Sequence, residues 1–314
     1  MLLPYGESEI IVKTCIILNP RAGGGRGEEA GRVLAAQLPQ AELLVTQSHG
    51  DAVSLARRAR EQGTTTLIVV GGDGTIQQAV TGLCLDATGA LVEHQTQLAI
   101  VPAGTGGDFR RTFSFDNSLV QAMGRILSPR PQKIDLARVT HRYRGQDRTS
   151  VFANVLSFGL GGLTDSLVAS GPKWLGGRAA YFLGAVRATA VHHPVPIELT
   201  LDDKVVEVAA FSNVAVCLGQ YFGGGMHVAP LADPSDGYLD VVTMELSKLK
   251  TLSLAKDIYR GTHLQREGVK HYRCRKLRAA PTRNDESLLD IDGEQSGKLP
   301  IEVELLPHAL QLLS

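Results

Sequence analysis

Thr65-Thr66-Leu67-Ile68-Val69-Val70-Gly71-Gly72-Asp73-Gly74-Thr75 runs from a short apolar, β-branched segment into a glycine-rich turn with one carboxylate, and an amphipathic stretch follows it. A turn of this kind at the end of a buried strand lets backbone N–H groups approach phosphate oxygens, with the positive end of the next helix behind them. Asp73 in that position suits a magnesium ion or a nucleotide hydroxyl. A strained turn whose glycines relieve the backbone, with Asp73 as a helix cap, explains the same residues without any ligand. The neighbouring segments have to decide between the two.

Working outward, the first 135 residues alternate short apolar runs with stretches of helical period, the pattern of a largely parallel sheet covered by helices. Cys15–Leu18, Leu43–Val45, Leu67–Val70 and Leu98–Val101 read as buried strands. Four helical faces fall between and after them: Ala30, Val33, Leu34 and Leu38; Ala52, Leu55, Ala56 and Ala59; Ile76, Ala79, Val80 and Leu83; and Leu119, Ala122, Met123, Ile126 and Leu127. Three strand ends carry phosphate-friendly turns: Asn19-Pro20-Arg21-Ala22-Gly23, Gly71 to Thr75, and Pro102-Ala103-Gly104-Thr105-Gly106-Gly107-Asp108. One glycine turn is weak; three on one edge of an α/β sheet describe a nucleotide cleft. Neither GxxxxGK[ST] nor GxGxxG occurs, so the cleft is neither a P-loop nor the usual dinucleotide site.

After Pro129-Arg130-Pro131 the pattern becomes β-rich, with a hairpin expected from Ile197–Leu201 and Val205–Val208 around Asp202-Asp203, and helices around Arg178–Val191 and Ser247–Tyr259. The expected fold is α/β: a nucleotide-binding domain over residues 1–133, a β-rich domain over 134–304, a cleft between them, and a tail near 305–314 free to return to the first domain. A chain of 314 residues exceeds what one core usually supports.

Composition narrows the class. Lys plus Arg equals Asp plus Glu at 32 each, so no global field favours nucleic acid or an anionic membrane. Cys15, Cys84, Cys217 and Cys274 are scattered without a CxxC pair, which favours reduced thiols and a cytoplasmic setting. No apolar run reaches about 18 residues, and the N-terminus lacks a signal-peptide pattern, so neither a transmembrane segment nor secretion is expected. The nine histidines offer no HExxH, and no Ser/His/Asp arrangement supports hydrolase chemistry.

Asn-Pro-x-x-Gly at 19–23, Gly-Gly-Asp-Gly-Thr at 71–75, Pro-x-Gly-Thr-x-x-Asp at 102–108, Asp-Gly-Tyr-Leu-Asp at 236–240 and Asp-Gly-Glu at 292–294 occur in that order. In this the chain resembles the diacylglycerol kinase catalytic family, which includes soluble bacterial diacylglycerol kinases, related lipid kinases, and sphingosine and ceramide kinases. The resemblance covers nearly the whole chain. Gly-Gly-Asp-Gly-Thr alone is shared with NAD kinases, and the order of the other motifs supplies the specificity.

The resemblance implies an NAD kinase-like nucleotide domain, ATP as phosphoryl donor, magnesium, and a lipid hydroxyl as acceptor at a membrane surface. It places Asn19, Pro20, Arg21, Ala22 and Gly23, with Gly72, Asp73, Gly74, Thr75, Ile76, Gln77 and Gln78, at the nucleotide, joined by Thr46 and Thr105. It assigns Asp108 and Asp135 to a polar network near the transferred phosphoryl, and Asp236, with Asp233 and Tyr238, to a structural magnesium site. Glu294 resembles the proton acceptor, and Asp292 is a second carboxylate that would share its face if the segment were extended. A solvated hairpin turn is the bland account of the same three residues. Phosphoryl transfer needs this division of labour: one carboxylate for the proton, others for metal and positioning.

Two motifs depart from the family pattern at three positions, the first of them Gln77, which stands where an Asn is usual after Gly-Gly-Asp-Gly-Thr. Gln78 stands where a Glu is usual next to it, and Gly107 stands where Asn usually precedes the Asp of the third motif. All three leave Asp73, Asp108 and Glu294 in place. Two basic segments are candidates for a lipid interface: 165–198, with Lys173, Trp174, Arg178, Tyr181, Phe182, Arg187, His192 and His193, and 260–283, with Arg266, Lys270, Arg273, Arg275, Lys276 and Arg278. A packed helix explains the first equally well, and a solvated face is the more common account of the second. The sequence leaves three functions open, namely a lipid kinase, an NAD kinase, and a regulator that binds nucleotide or lipid without turnover. It leaves a homodimer open too.

Overall fold

The structure is a computed structural model that describes residues 13–169, 184, 187–283 and 285–314. Strands β1 (Thr14–Leu18), β2 (Glu42–Val45), β3 (Thr66–Gly71) and β4 (Gln97–Pro102) pair in parallel in the spatial order β4-β3-β1-β2. Because side chains alternate across a strand, β1, β3 and β4 feed two cores. Cys15, Ile17, Leu67, Val69, Leu98 and Ile100 pack under α2 (Asp51–Glu61) and α3 (Asp73–Cys84). Ile16, Leu18, Ile68, Val70, Ala99 and Val101 pack under α1 (Arg26–Gln37) and α5 (Leu119–Leu127). The helical faces read from spacing lie at these contacts, except that Val33 and Leu127 are exposed. Strand β2 departs from the buried reading as well: it pairs only with β1, and only Leu44 of its apolar residues is buried, as befits an edge.

The β-rich part comprises β5 (Pro131–Tyr143), β6 (Gln146–Phe152), β7 (Val155–Gly159), β8 (Pro196–Leu201), β9 (Lys204–Ala210), β10 (Asn213–Cys217), β11 (Leu239–Met244), β12 (Val269–Cys274), β13 (Lys276–Pro281), β14 (Leu288–Ile291) and β15 (Glu294–Leu313). Between them lie α6 (Leu160–Ala169) and α7 (Lys248–Arg260), and a short α4 (Asp108–Thr112) follows β4. The β8–β9 hairpin turns at Asp202-Asp203, both at positive φ, the backbone of a type I′ turn. A large core gathers Phe152, Phe158, Leu199, Phe211, Val214, Leu277 and Val303, and a smaller one beneath α7 gathers Val242, Met244, Leu254 and Ile258. The 20-residue β15 joins the two halves. It pairs antiparallel with β14, β13 and β5, and its last turnless stretch runs parallel to β4, with Gln311 opposite Gln97 and Leu312 opposite Leu98.

All four cysteines are free and buried, and burial pushes the Cys15 thiol up to about 11 and that of Cys84 to about 12. No helix among the described residues is long and apolar enough to cross a membrane. Lys173, Trp174, Arg178, Tyr181 and Phe182, expected at a lipid interface, lie outside the described residues; residues 187–191 are helical. The second basic run is largely neutralised within the fold: Arg266 pairs with Asp257, Lys270 with Glu207, Arg273 with Asp236, and Lys276 and Arg278 with Glu302. That use leaves it little positive surface to offer a headgroup.

Candidate active site

The ends of β1, β2, β3 and β4 open on one cavity of about 520 Å³, within the range usual for small-molecule sites. Its walls bring together Asn19, Arg21, Ala22 and Gly23 from the first turn, Thr46 after β2, Gly72, Asp73, Gly74, Thr75 and Gln78 from α3, Thr105 after β4, and Asp292 and Glu294. The first, second and third turns are held to one another by polar contacts. Asn19 Nδ2 donates to Thr75 Oγ1 at 3.0 Å while its Oδ1 accepts from the Arg21 N–H at 3.1 Å. Arg26 Nη2 donates to the Gly104 carbonyl at 3.1 Å. Gly72 and Gly104 let the second and third loops touch: a Cβ on Gly104 would sit 2.5 Å from the Gly72 Cα. Helix α3 begins at Asp73, so its first N–H groups lack intrahelical partners and present positive potential beside Arg21 and the cavity. That arrangement suits phosphate.

Asp73 is used differently from a free metal ligand or a cap of its own helix. Its carboxylate accepts from the backbone N–H groups of Gly107, Asp108 and Phe109 at 2.7, 3.2 and 3.1 Å, so it caps α4 and clamps the third motif to the second. Gly107 sits at φ +69, a conformation that glycine takes without strain, so the missing side-chain amide has a backbone reason. Asp108 in turn accepts from Arg111 Nη1 at 2.7 Å and from the Gly224 N–H at 2.7 Å. Burial first, and the Asp73 charge second, push its carboxyl above the usual range against those donors.

The last motif is a β-hairpin turn rather than an extended segment, so Asp292 and Glu294 do not share a face by strand alternation. Asp292 (φ +51) and Gly293 (φ +88) form the two-residue connection between β14 and β15. The turn is not solvated at Asp292: its carboxylate accepts from Ala153, Asn154 and Val155 N–H at 3.0, 3.0 and 2.8 Å, where the chain passes from β6 to β7. Burial raises its pKa to about 7 even though these donors pull it down. Glu294, one step beyond, lies over the start of α3, where Gly74 leaves room for it; a Cβ on Gly74 would meet Glu294 Oε1 at 2.6 Å.

Two side chains hold the Glu294 carboxylate. Gln78 Nε2 donates to Oε1 at 3.2 Å, and His49 Nε2 lies 3.3 Å from Oε2. Gln78 Oε1 accepts from the Gly50 N–H at 3.1 Å, and its Nε2 is also 3.3 Å from His49 Nδ1. The departure from Glu at 78 therefore has a structural counterpart, because an amide can donate to Glu294 where a carboxylate would repel it. Burial raises the Glu294 pKa, and His49, Gln78 and Arg148 pull it back. His49 was not foreseen from sequence, nor were Gln47 and Ser48, whereas Gly104, Gly106 and Gly293 in the cavity wall belong to the turns and motif already marked there. The resemblance marked Thr46 after β2, and the rule that ligands bind at the carboxyl ends of the strands, applied to that same loop, would have reached His49 three residues on.

Several expected residues lie elsewhere. Ile76, expected at the nucleotide, is in the core at 3% exposure. Gln77 turns toward β6, its Nε2 donating to Thr81 Oγ1 and to the Val151 carbonyl. Pro20 follows Asn19 without forming part of the cavity wall. Asp135, fully buried, accepts from the Gly237 and His308 N–H groups at 2.7 Å each; it anchors the 236–238 loop to β15. In that loop Asp233 accepts from Ser235, Asp236 pairs with Arg273, and the Tyr238 ring lies beneath the guanidinium carbons of Arg273 (4.3 Å) and Arg275 (4.9 Å). Two cations already sit where a divalent ion was expected, so Asp233, Asp236 and Tyr238 do not fit a resident magnesium site. Among the described residues no group of three or more His, Cys, Asp or Glu side chains could hold a metal.

A second cavity, about 210 Å³, shares Asp73, Asp292 and Gly293 with the first and adds Asp108, Asn154, Phe222, Gly224 and Asp290. Phe222 also belongs to a third, about 250 Å³, whose walls include Leu160, Met226, Met244, Leu252, Ala255 and Ile258. A polar site, an acidic gap and an apolar pocket thus share walls in sequence.

Comparison with known proteins agrees with this architecture. Residues 13–139 match the family model of the diacylglycerol kinase catalytic domain, and residues 128–314 match that of the YegS C-terminal NAD kinase beta sandwich-like domain. A Mycobacterium tuberculosis protein named diacylglycerol kinase is 29% identical over 316 residues, covering 96% of this chain and 95% of its own. The "Probable lipid kinase YegS-like" protein of Chromohalobacter salexigens is 32% identical over 240 residues, 76% of this chain and 70% of its own. A solved Bacillus anthracis structure described as a candidate diacylglycerol kinase superposes with a TM-score of 0.75 at 26% identity, covering 96% of each chain. The chain belongs to the diacylglycerol kinase catalytic-domain family, with the YegS-type C-terminal domain, among relatives named as lipid kinases.

Proposed function

We propose that this protein transfers the γ-phosphoryl group of ATP to a lipid hydroxyl, diacylglycerol or a close relative, in the cleft between its two parts. The observation that carries the reading is Glu294, a half-buried carboxylate with a raised pKa that the β14–β15 hairpin lays against the glycine-rich turn opening α3. ATP, brought as its magnesium complex, is the donor; the α3 N-terminus and Arg21 would take its phosphates. The lipid hydroxyl would enter from the acidic gap with its chains toward the apolar pocket. Glu294 accepts the hydroxyl proton as the oxygen attacks phosphorus. His49, against Oε2 and with a side chain 77% exposed, offers that proton a way to solvent.

The test is transfer of labelled phosphate from magnesium ATP into extracted lipids across a panel of acceptors, run beside Glu294→Gln. Labelled phosphatidic acid or another phospholipid is the expected product. NADP formed from NAD would select an NAD kinase instead, and tight ATP binding with no labelled product from any acceptor would select a non-catalytic regulator.

The pH dependence follows from the neighbours of Glu294. Proton acceptance needs the ionised carboxylate, so kcat/KM falls as pH drops through its raised pKa. His49 lowers that pKa, and its removal raises it further. In His49→Ala the acid limb of the pH–rate profile is expected to move to higher pH, with rates converging on wild type at alkaline pH. Gln78→Glu, which sets a second carboxylate beside the first, is expected to move it the same way. An unmoved limb in both variants would detach His49 and Gln78 from the reacting proton.

A further inference from the structure

Helix α7 is fixed to the fold by Leu254 and Ile258, both buried in the core beneath it. Its opposite side exposes Leu249, Leu252, Ser253, Lys256, Tyr259 and Arg260, spaced three and four apart on one face. Leu249 is 81% exposed, and Leu252 and Tyr259 are each 46% exposed. Single exposed leucines are ordinary, but here three large apolar side chains share one helix face. Leu252 and Tyr259 also belong to the wall of the apolar pocket, so the exposed face and the pocket are continuous. The charge on this face has one sign. Lys256 and Arg260 make no ion pair with any described residue, while the helix's one acid, Asp257, is held by Arg266 at 2.7 Å.

We propose that this face of α7 docks the protein on an anionic lipid bilayer, leucines and tyrosine in the interface and Lys256 and Arg260 at the phosphates. The proposal rests on the lipid-kinase reading for its purpose, not for its geometry. An amphipathic helix with aromatic and basic residues on one side is suited to lie in the headgroup layer. A second copy of the chain fits worse: an isologous contact through this face would bring Lys256 and Arg260 against their own equivalents. Docking here sets the mouth of the apolar pocket on the membrane, so a lipid enters it without crossing water.

The experiment is flotation of the full chain with vesicles of phosphatidylcholine alone and of phosphatidylcholine with about one-third phosphatidylglycerol, whose surface potential attracts basic groups. Wild type is expected to float with the anionic vesicles, less so at high salt. Leu249→Glu with Lys256→Glu is expected to lower that partition about a hundredfold, from the lost apolar burial and the reversed charge. Its melting temperature and its phosphorylation of a short-chain diacylglycerol dispersed as monomers should be unchanged. Flotation of the double variant within about twofold of wild type overturns the proposal at the scale these terms set. So does a wild type that ignores anionic vesicles, or a double variant that loses only self-association. Docking that depends on this face in a protein that phosphorylates no lipid would uphold the surface and refute the kinase reading.

Discussion

Glu294→Gln is expected to lower kcat by roughly 10²–10⁴-fold, the usual worth of a positioned general base. The substitution keeps the size of the side chain and leaves an amide oxygen where Gln78 Nε2 now donates to Oε1, so folding and ATP affinity should change little. Because the lost interaction belongs to the transition state, kcat and kcat/KM for the lipid should fall together. Steady-state kinetics with a lipid acceptor, beside ATP titration and a thermal melt of the same variant, separate these quantities. A loss of less than about tenfold would place the base elsewhere, since positioned bases contribute more than that. The acid limb in wild type is expected to lie above the range of an ordinary glutamate, because burial disfavours the carboxylate. That limb should be absent from the residual activity of the variant.

The second large effect is on stability. Asp292→Ala removes the acceptor of three buried backbone N–H groups, those of Ala153, Asn154 and Val155. It also puts alanine at φ +51, where aspartate is tolerated and alanine is strained. Orphaned buried donors cost about 1–3 kcal/mol each, and partial relaxation leaves an expected loss of about 3–5 kcal/mol. In a domain of about 150–250 residues that is a fall in Tm of roughly 6–20 °C. Asp292→Asn keeps the shape and one acceptor oxygen, so its fall should be smaller, and comparing the two melts isolates the acceptor role. Equal Tm for wild type and Asp292→Ala would refute it. Activity should fall in both variants, because the same turn sets the place of Glu294.

Much of the N-terminal half was legible because its signals are local. Alternation and helical spacing fixed β1, β3, β4 and the helices over them, and glycine turns at their ends marked the sheet edge that forms the cavity. The errors have a physical pattern. Val33 and Leu127 obey the period yet lie at the margins of the faces that the sheet covers, and β2 was read as buried because its edge position depends on what pairs beside it. Ile76 and Gln77 follow a turn at the cavity but, once α3 begins, helical rotation carries them to the core and to β6. The Asp-Gly-Glu segment was legible as chemistry and illegible as geometry, since nothing within it tells which loop will supply its hydrogen-bond donors.

By itself the sequence determined the α/β class and the sheet edge that carries the turns, both of which depend on residues a few positions apart, while the order of five motifs from Asn19 to Glu294 marked the carboxylates through a family resemblance. Only the tertiary structure decided what each carboxylate does. Asp73 clamps the third motif, Asp292 holds the β6–β7 connection, Asp236 answers Arg273, and Glu294 alone is set against Gln78 and His49 at the cavity. A carboxylate's role follows from the donors and charges around it, and here those partners arrive from segments 34 to more than 200 residues away.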